Sequence, residues 1–107
     1  MGNAYIGKVL EVNLSKKQVA IVDLGERVAK NFLGGLGLGI KILYDEVRPN
    51  VDALSPDNII IIAPGPLSGT SAPTNGRTQV VTKSPLTGIL GTGNFGGFWG
   101  PRLKRAG

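Results

Sequence analysis

The sequence predicts an α+β domain of about five strands and two or three short helices. Segments in which apolar residues alternate with polar ones, the period of a strand, lie on both sides of segments with helical spacing. Glycine, which occurs 17 times in 107 residues, marks the breaks between these segments. A chain of this length buries one modest core, so we expect a single domain, or part of one, over residues 1–107.

The first half of the chain predicts a hairpin and two helices. Alternating apolar residues predict two strands, and the polar turn Ser15–Lys17 between them predicts that they pair. Val28 and Phe32 at i, i+4 spacing predict a helix, which the pair Gly34–Gly35 ends. The predicted elements are strands at 4–14 and 18–24 and helices at 25–32 and 36–47.

The second half predicts further strands and a final helix. The continuous apolar run Asn58–Ala63 predicts a buried strand, and TQVVTK (78–83) predicts another. Between them, the proline, glycine, serine and threonine residues of 64–75 predict a loop. The pair Gly96–Gly97 leads into a short helix at 98–106.

Several classes of site are excluded by composition. Cysteine and histidine are absent, which removes disulfides, zinc sites, iron–sulfur ligation by cysteine and Cys- or His-based catalysis from this chain. A cysteine-free chain without a signal peptide predicts a cytoplasmic protein. The longest apolar run, Ile59–Pro64, is too short to span a bilayer, so no membrane partner is expected.

Charge is distributed unevenly along the chain. Residues 1–57 hold seven acidic and seven basic residues, whereas residues 58–107 hold no acidic residue, so the net charge of +5 lies entirely in the second half. A half-chain without a carboxylate indicates an anionic partner. The alternative, a solvated basic surface, stays open. The bases of the second half are Arg77, Lys83, Arg102, Lys104 and Arg105.

The final stretch, GTGNFGGFWGPRLKRAG (91–107), combines glycine with positive charge. Glycine tolerates a positive φ, which lets consecutive N–H groups converge on an anion. If a helix begins near Gly97, the partial positive charge of its N-terminus also attracts an anion. We therefore predict a phosphate-binding loop at 91–97, with a flexible glycine-rich tail as the open alternative.

Two further features, GGLGLG and Arg77, are candidates for binding an anion. GGLGLG (34–39) lacks the spacing of a dinucleotide-binding fingerprint and follows a helix, so it predicts a tight turn between helices. The helix that begins there would still direct free N–H groups at an anion. Arg77 is a more specific candidate, because it is the only charge between Asp57 and Lys83 and its guanidinium suits phosphate.

Five sequence strings follow one another in the same order as in a known family. They are YIGKVLEVNL, FLGGLGLGIKILYDEV, LSPDNIIIIAPGPLSGTSAPTNGR, VVTKSPLTG and GNFGGFWGPRLKRAG. Together they resemble the amino terminus of tungsten-containing aldehyde:ferredoxin oxidoreductases, over nearly the whole chain. GPLSGTSAPTNGR and VVTKSPLTG are long and unusual, so chance agreement does not explain the match.

The resemblance implies a cofactor and the residues that bind it. The cofactor is a tungsten or molybdenum bis-pterin with magnesium, beside a four-iron four-sulfur cluster that other parts of the enzyme hold. By motif, Arg77 lies between the pterin and the cluster. Asn94 and Gly96 contact the pterin phosphates, and the Asn94 backbone carbonyl ligates the magnesium. The implied reaction oxidises aldehydes to carboxylic acids and passes electrons to ferredoxin.

The chain also departs from the family. The cluster cysteines, the catalytic acids and a second pterin-binding string belong to regions that this sequence does not include. Position 105 is Arg where the family usually has Phe, which predicts that Arg105 lies in water. We therefore expect the N-terminal part of such an enzyme, as a truncated piece or a split-gene subunit. Its partners would be the remainder of the enzyme or a second subunit.

Two other functions stay open. A stand-alone binding module would form homo-oligomers to cover the surfaces that the missing half would bury. A nucleic-acid binder is the least favoured, although the basic second half contains Phe95, Phe98 and Trp99. Glycine-rich loops suit one or two fixed phosphates better than a long strand.

The first testable prediction follows from the absence of cysteine and histidine. The isolated chain should not reduce a viologen dye with an aldehyde under anaerobic conditions, even when tungstate and pterin are supplied. The control is the same assay without protein. Activity above that control would contradict the view that this chain only binds part of the cofactor.

Overall fold

The structure, a computed structural model, describes residues 4–107; the first three residues of the predicted domain lie outside it. The described part forms five strands and three helices, which confirms the predicted α+β class. Within it, no helix is both long and apolar enough to span a membrane. The elements are β1 (Lys8–Asn13), β2 (Gln18–Asp23), α1 (Glu26–Asn31), α2 (Leu36–Glu46), β3 (Ile60–Pro64), β4 (Thr78–Lys83), β5 (Leu90–Phe95) and α3 (Trp99–Ala106).

Strands β1 and β2 form the predicted hairpin. They pair antiparallel, with Lys8 opposite Asp23 at the open end. In the turn, the Lys16 backbone N–H donates to Asn13 Oδ1 at 3.0 Å, a local bond from side chain to backbone that stabilises the turn. Nearly every residue of the hairpin is exposed, on both of its faces, and Ile21 is 71% exposed.

The other strands form a three-stranded antiparallel sheet in the order β3-β4-β5. Residues that face each other across a pair share a face, so Val81 lies with its partner Ile61 on the side that α2 covers. Val81 is fully buried there, and Ala63 and Leu43 are also buried. The central strand β4 is therefore the centre of the small core.

Helix α2 can approach the sheet closely because residue 39 is glycine. A Cβ at Gly39 would lie 2.7 Å from Val81 Cγ2, well inside contact distance. Gly37, two residues earlier in the same helix, has no such neighbour. The nearest atom to a Cβ at Gly37 would be Leu33 Cβ, at 3.9 Å. Close packing at Gly39 thus sets the separation between α2 and β4.

Two sequence predictions for strands are wrong. The apolar run at 58–63 was expected to be a buried strand, but β3 is at the edge of the sheet, with Ile60 70% and Ile62 43% exposed. The reason is that α2 covers only one face, and Ile60 and Ile62 lie on the other. The second error concerns 91–97, where a loop was predicted and β5 occupies Leu90–Phe95. Pairing with β4 extends this glycine-rich segment despite its weak strand propensity.

The helices begin and end close to the predicted positions. Helix α1 ends at Asn31, where Phe32 adopts an extended conformation, before the glycine pair is reached. The glycines instead begin the next helix, since Gly35 has φ 71° and directly precedes α2. Helix α3 begins one residue after the predicted start.

The second prediction compares two alanine substitutions in α2. Gly37→Ala should raise the free energy of unfolding by up to about 1 kcal/mol, because alanine favours helix and meets open space. Gly39→Ala should lower it by about 1–3 kcal/mol, because its Cβ overlaps Val81. Urea denaturation of both variants and the wild type measures the difference. Equal effects of the two substitutions would contradict the close packing at Gly39.

The third prediction concerns association of the isolated chain. Ile60 and Ile62 on β3, and Phe98, which is 85% exposed, leave apolar surface in water. We expect the isolated chain to form a dimer or higher oligomer that covers Ile59–Ile62 or the aromatic residues near Phe98. Light scattering at micromolar concentration, together with an exposed-hydrophobe dye, checks this. A clean monomer that binds no dye would contradict it.

Candidate functional site

Pairing of β4 and β5 brings together Arg77 and Asn94, two of the predicted site residues. Arg77 directly precedes β4, and Asn94 lies in β5 opposite Gln79. Because side chains alternate between the faces of a strand, Arg77, Gln79 and Asn94 share one face. Arg77 Nη1 donates a hydrogen bond to Asn94 Oδ1. Both side chains are exposed, so this face presents a guanidinium and an amide group to the surface.

The N-terminus of α2 lies at the same end of this sheet face. A Cβ at Gly35, the residue before α2, would lie 3.7 Å from Gln79 Cγ, and Gln79 is the partner of Asn94. No side chain caps this helix end, and its first turn contains no acidic residue. The partial positive charge of the helix end is therefore not neutralised by its own residues.

The backbone of residues 91–97 differs from the prediction. Residues 91–95 belong to β5, whose extended backbone directs successive N–H groups to opposite sides, so they do not converge on one anion. Of the glycines in 91–97, only Gly97 has a positive φ, at 93°. Gly96 does not, and a Cβ there would meet no atom within 4 Å. The predicted loop of convergent amides is wrong for 91–95, and Gly96 is an open position directly after the strand.

Strand β5 is nevertheless accessible to a ligand. It is the edge strand of its sheet, so about half of its backbone N–H and C=O groups face away from β4. A Cβ at Gly93 would also meet nothing within 4 Å. A ligand can therefore approach the backbone next to Asn94 without meeting a side chain at Gly93 or Gly96.

Helix α3 begins close to this edge and packs tightly on the start of β4. Gly100 is buried, and a Cβ there would overlap the hydroxyl of Thr78, which is itself fully buried. Just before the helix, Phe95 and Trp99 meet edge to face, with ring centroids 5.4 Å apart. The N-terminus of α3 also lacks a side-chain cap and an acidic first turn.

The three basic residues of α3 have different environments, which the sequence did not reveal. Arg102 and Arg105 are exposed, as predicted for Arg105, and Arg105 Nη2 reaches the Gly69 carbonyl only at 3.5 Å. Lys104 instead folds back onto the protein and donates a hydrogen bond to the Pro66 carbonyl. Burial lowers the pKa of the Lys104 ammonium below its usual value.

The groups at this sheet end fit an anionic ligand. A guanidinium supplies N–H donors in a fixed fork that matches phosphate, and uncapped helix N-termini favour negative charge. No carboxylate occurs in residues 58–107 to repel it. Across residues 4–107, no group of three or more His, Cys, Asp or Glu side chains could hold a metal ion. The described side chains therefore suit the anionic part of a cofactor and form no metal centre of their own.

Comparison with known proteins defines the class of protein to which this fold belongs. Residues 9–107 match the family model described as the aldehyde ferredoxin oxidoreductase N-terminal domain. Among solved structures, the active-site complex of benzoyl coenzyme A reductase with 1,5-dienoyl-CoA has a TM-score of 0.96 and 46% identity, covering 100% of this chain and 16% of that chain.

Two relatives refine the comparison. The tungsten-containing aldehyde ferredoxin oxidoreductase of Thermococcus kodakarensis is 52% identical over 101 residues, which are 94% of this chain and 17% of that protein. The aliphatic sulfonate oxidoreductase, WOR-like subunit, of Pyrococcus furiosus is 41% identical over 93 residues, which are 83% of this chain and 15% of that protein. The chain thus spans only about a sixth of the length of these relatives.

The chain belongs to the aldehyde ferredoxin oxidoreductase family and corresponds to its N-terminal domain. The predicted resemblance is confirmed, and so is the α+β fold class.

Proposed function

We propose that this chain forms the N-terminal, cofactor-binding part of a tungsten-containing oxidoreductase that acts on aldehydes. The observation that carries the proposal is the hydrogen-bonded Arg77–Asn94 pair, in a half-chain without Asp or Glu, in a chain 52% identical to a tungsten-containing aldehyde ferredoxin oxidoreductase. The cofactor would be a tungsten or molybdenum bis-pterin with magnesium. Ferredoxin would accept the electrons, as the name of that relative implies.

The relatives support a role in cofactor binding over a role in substrate recognition. Their names are aldehyde ferredoxin oxidoreductase, aliphatic sulfonate oxidoreductase and benzoyl coenzyme A reductase. The substrates in these names, an aldehyde, a sulfonate and an aromatic thioester, are chemically different. This chain is nevertheless 41–52% identical to the matching segment of each of these proteins. A segment shared across different substrates suits a role that does not depend on the substrate, and binding of a redox cofactor would be such a role.

Each residue of the site has a proposed role. Arg77 would bind a phosphate or the edge of the pterin with its guanidinium, oriented by its hydrogen bond to Asn94 Oδ1. By the family resemblance, the backbone carbonyl of Asn94 would be the magnesium ligand. Gly96 would leave room for the phosphate. When bound, the tungstopterin would supply the redox chemistry.

The remaining parts of the enzyme would come from other segments. The iron–sulfur cluster needs ligands that this chain lacks, since it has no cysteine. The remainder of the enzyme or a second subunit would therefore be its partner and would complete the domain of which residues 1–107 are part. Alone, the chain would be inactive. A cytoplasmic location stays a prediction.

A second candidate function is a stand-alone module that forms homo-oligomers. Its support is the exposed apolar surface, including Ile21 of the hairpin and Ile60 of β3. An oligomer that is stable without any other protein, and that binds no pterin, would favour this candidate. An oligomer or aggregate that dissociates when the rest of the enzyme is supplied would favour the first.

The fourth prediction tests the site in the complete enzyme. Arg77→Ala should reduce tungsten and pterin per polypeptide, because the guanidinium that binds the cofactor is lost. Gly96→Val should reduce them further, because the open backbone accepts the side chain without a clash in the fold and the valine then fills the space for the phosphate.

Arg102→Ala is the matched control for this experiment. It removes one exposed positive charge from α3, and exposed charges contribute about 0–1 kcal/mol, so cofactor content should stay near that of the wild type. Metal analysis by mass spectrometry and pterin fluorescence give the content, and circular dichroism confirms folding. Full cofactor content in folded Gly96→Val would remove Gly96 from the site.

A further inference from the structure

We propose that Lys104 is a positioning residue for the cofactor site: its ammonium group holds the β3–β4 loop (residues 65–77) against α3 and thereby fixes Arg77, the last residue of that loop. The inference rests on the proposed function, because it assigns Lys104 a role toward the same site. Lys104 itself touches neither Arg77 nor Asn94 and would act through the loop.

Helix α3 and the residues before it lie along the β3–β4 loop. A Cβ at Gly69 would lie 3.4 Å from Pro101 Cα, in the first turn of the helix. At the far end of the loop, a Cβ at Gly76 would lie 3.3 Å from the Gly97 carbonyl oxygen. The loop therefore meets Pro101 in α3 through Gly69, and it meets Gly97, just before that helix, through Gly76.

Few hydrogen bonds hold this contact. Among the described residues, two side chains of α3 donate to loop carbonyls, namely Lys104 to Pro66 and Arg105 to Gly69. The second bond is at the 3.5 Å limit and exposed, so it contributes little. The buried hydroxyl of Ser68 in the loop has no hydrogen-bond partner within the described protein. Lys104 therefore supplies the main polar link.

The loop is cross-linked internally, so a link at its start can affect its end. Asn75 Nδ2 donates to the Thr70 carbonyl at 3.1 Å, and Asn75 Oδ1 accepts from the Gly69 N–H at 3.4 Å. Asn75 stands two positions before Arg77. Residues 69–75 thus move together, and fixing Pro66 on α3 restricts the position that Arg77 can take.

The environment of Lys104 makes this link stronger than a surface contact. A hydrogen bond from a charged donor is stronger than one between neutral groups, and partial burial shields it from salt. The lowered pKa of Lys104 is consistent with that burial. Arg102, two residues earlier in the same helix, is exposed and has no hydrogen bond to a carbonyl of the β3–β4 loop.

The experiment compares three variants of the complete enzyme. Lys104→Met keeps the length of the side chain but removes the donor, Lys104→Arg keeps a charged donor, and Arg102→Met removes a charge from the exposed face of α3. Hydrogen exchange measured by mass spectrometry follows residues 65–77, both with and without bound cofactor. Tungsten and pterin content per polypeptide are measured on the same samples.

Loss of the Lys104 link should make amides in 65–77 exchange about tenfold faster in Lys104→Met, because a charged hydrogen bond no longer holds the loop. Peptides from β4 and α2 should be unchanged. Cofactor content should fall several-fold in Lys104→Met, recover in Lys104→Arg and stay at the wild-type level in Arg102→Met.

Three results would overturn the proposal. Unchanged exchange in 65–77 would show that Lys104 does not hold the loop. Faster exchange with full cofactor content would show that the loop does not position the site. Faster exchange throughout β4 and α2 would make Lys104 a residue of general stability. A wild-type enzyme without tungsten or pterin would instead contradict the proposed function, while the exchange result for the loop would still stand.

Discussion

The packing of α2 and α3 on the three-stranded sheet, at Val81 and Thr78 of the central strand β4, is the constraint on which the rest of the structure depends. Val81 meets α2 at Gly39 on one face, and Thr78 meets α3 at Gly100 on the other. Both of these β4 residues are fully buried, and they are the largest fully buried side chains of the described protein. Since Arg77 directly precedes this strand, its position follows from the same packing. The packing of the core therefore determines where the candidate site lies.

The exposed guanidinium of the site and the exposed apolar side chains of β3 lie on opposite faces of the sheet. An exposed guanidinium in high dielectric contributes only about 0–1 kcal/mol to an ionic contact. When another protein layer excludes water from such a group, the same interaction becomes several-fold stronger. Burial of the apolar side chains on the hairpin and β3 would supply the free energy for that layer to bind. Because Ile60 and Ile62 lie on the face opposite Arg77, a layer on β3 would stabilise the fold, and only a separate layer over Arg77 and Asn94 would strengthen the site.

The sequence predicted the elements that have a clear apolar period and missed the features that tertiary contacts decide. The hairpin, α2 and β4 were predicted within a few residues of their observed limits. Strand β5 was missed because glycine and asparagine fill half of it and its apolar or β-branched residues have no regular period of two, so only pairing with β4 makes it a strand. Position 97, not 96, has the positive φ, and no pattern in FGGF distinguishes the two glycines. Likewise, nothing in RLKR separates Lys104 from its exposed neighbours, since only the path of the 65–77 loop brings Pro66 within its reach.

The chemistry of the described site limits what this chain can contribute to a reaction. Arg77 supplies N–H donors, Asn94 supplies an amide, and no Asp or Glu side chain in residues 58–107 offers a general base. These groups can bind an anion and orient it, but none of them can take a proton from a substrate. The same backbone, at a TM-score of 0.96, occurs in a complex named for benzoyl coenzyme A, while the chain is more similar to relatives named for aldehydes. A binding surface without a general base is compatible with the different substrates that the names of these proteins print.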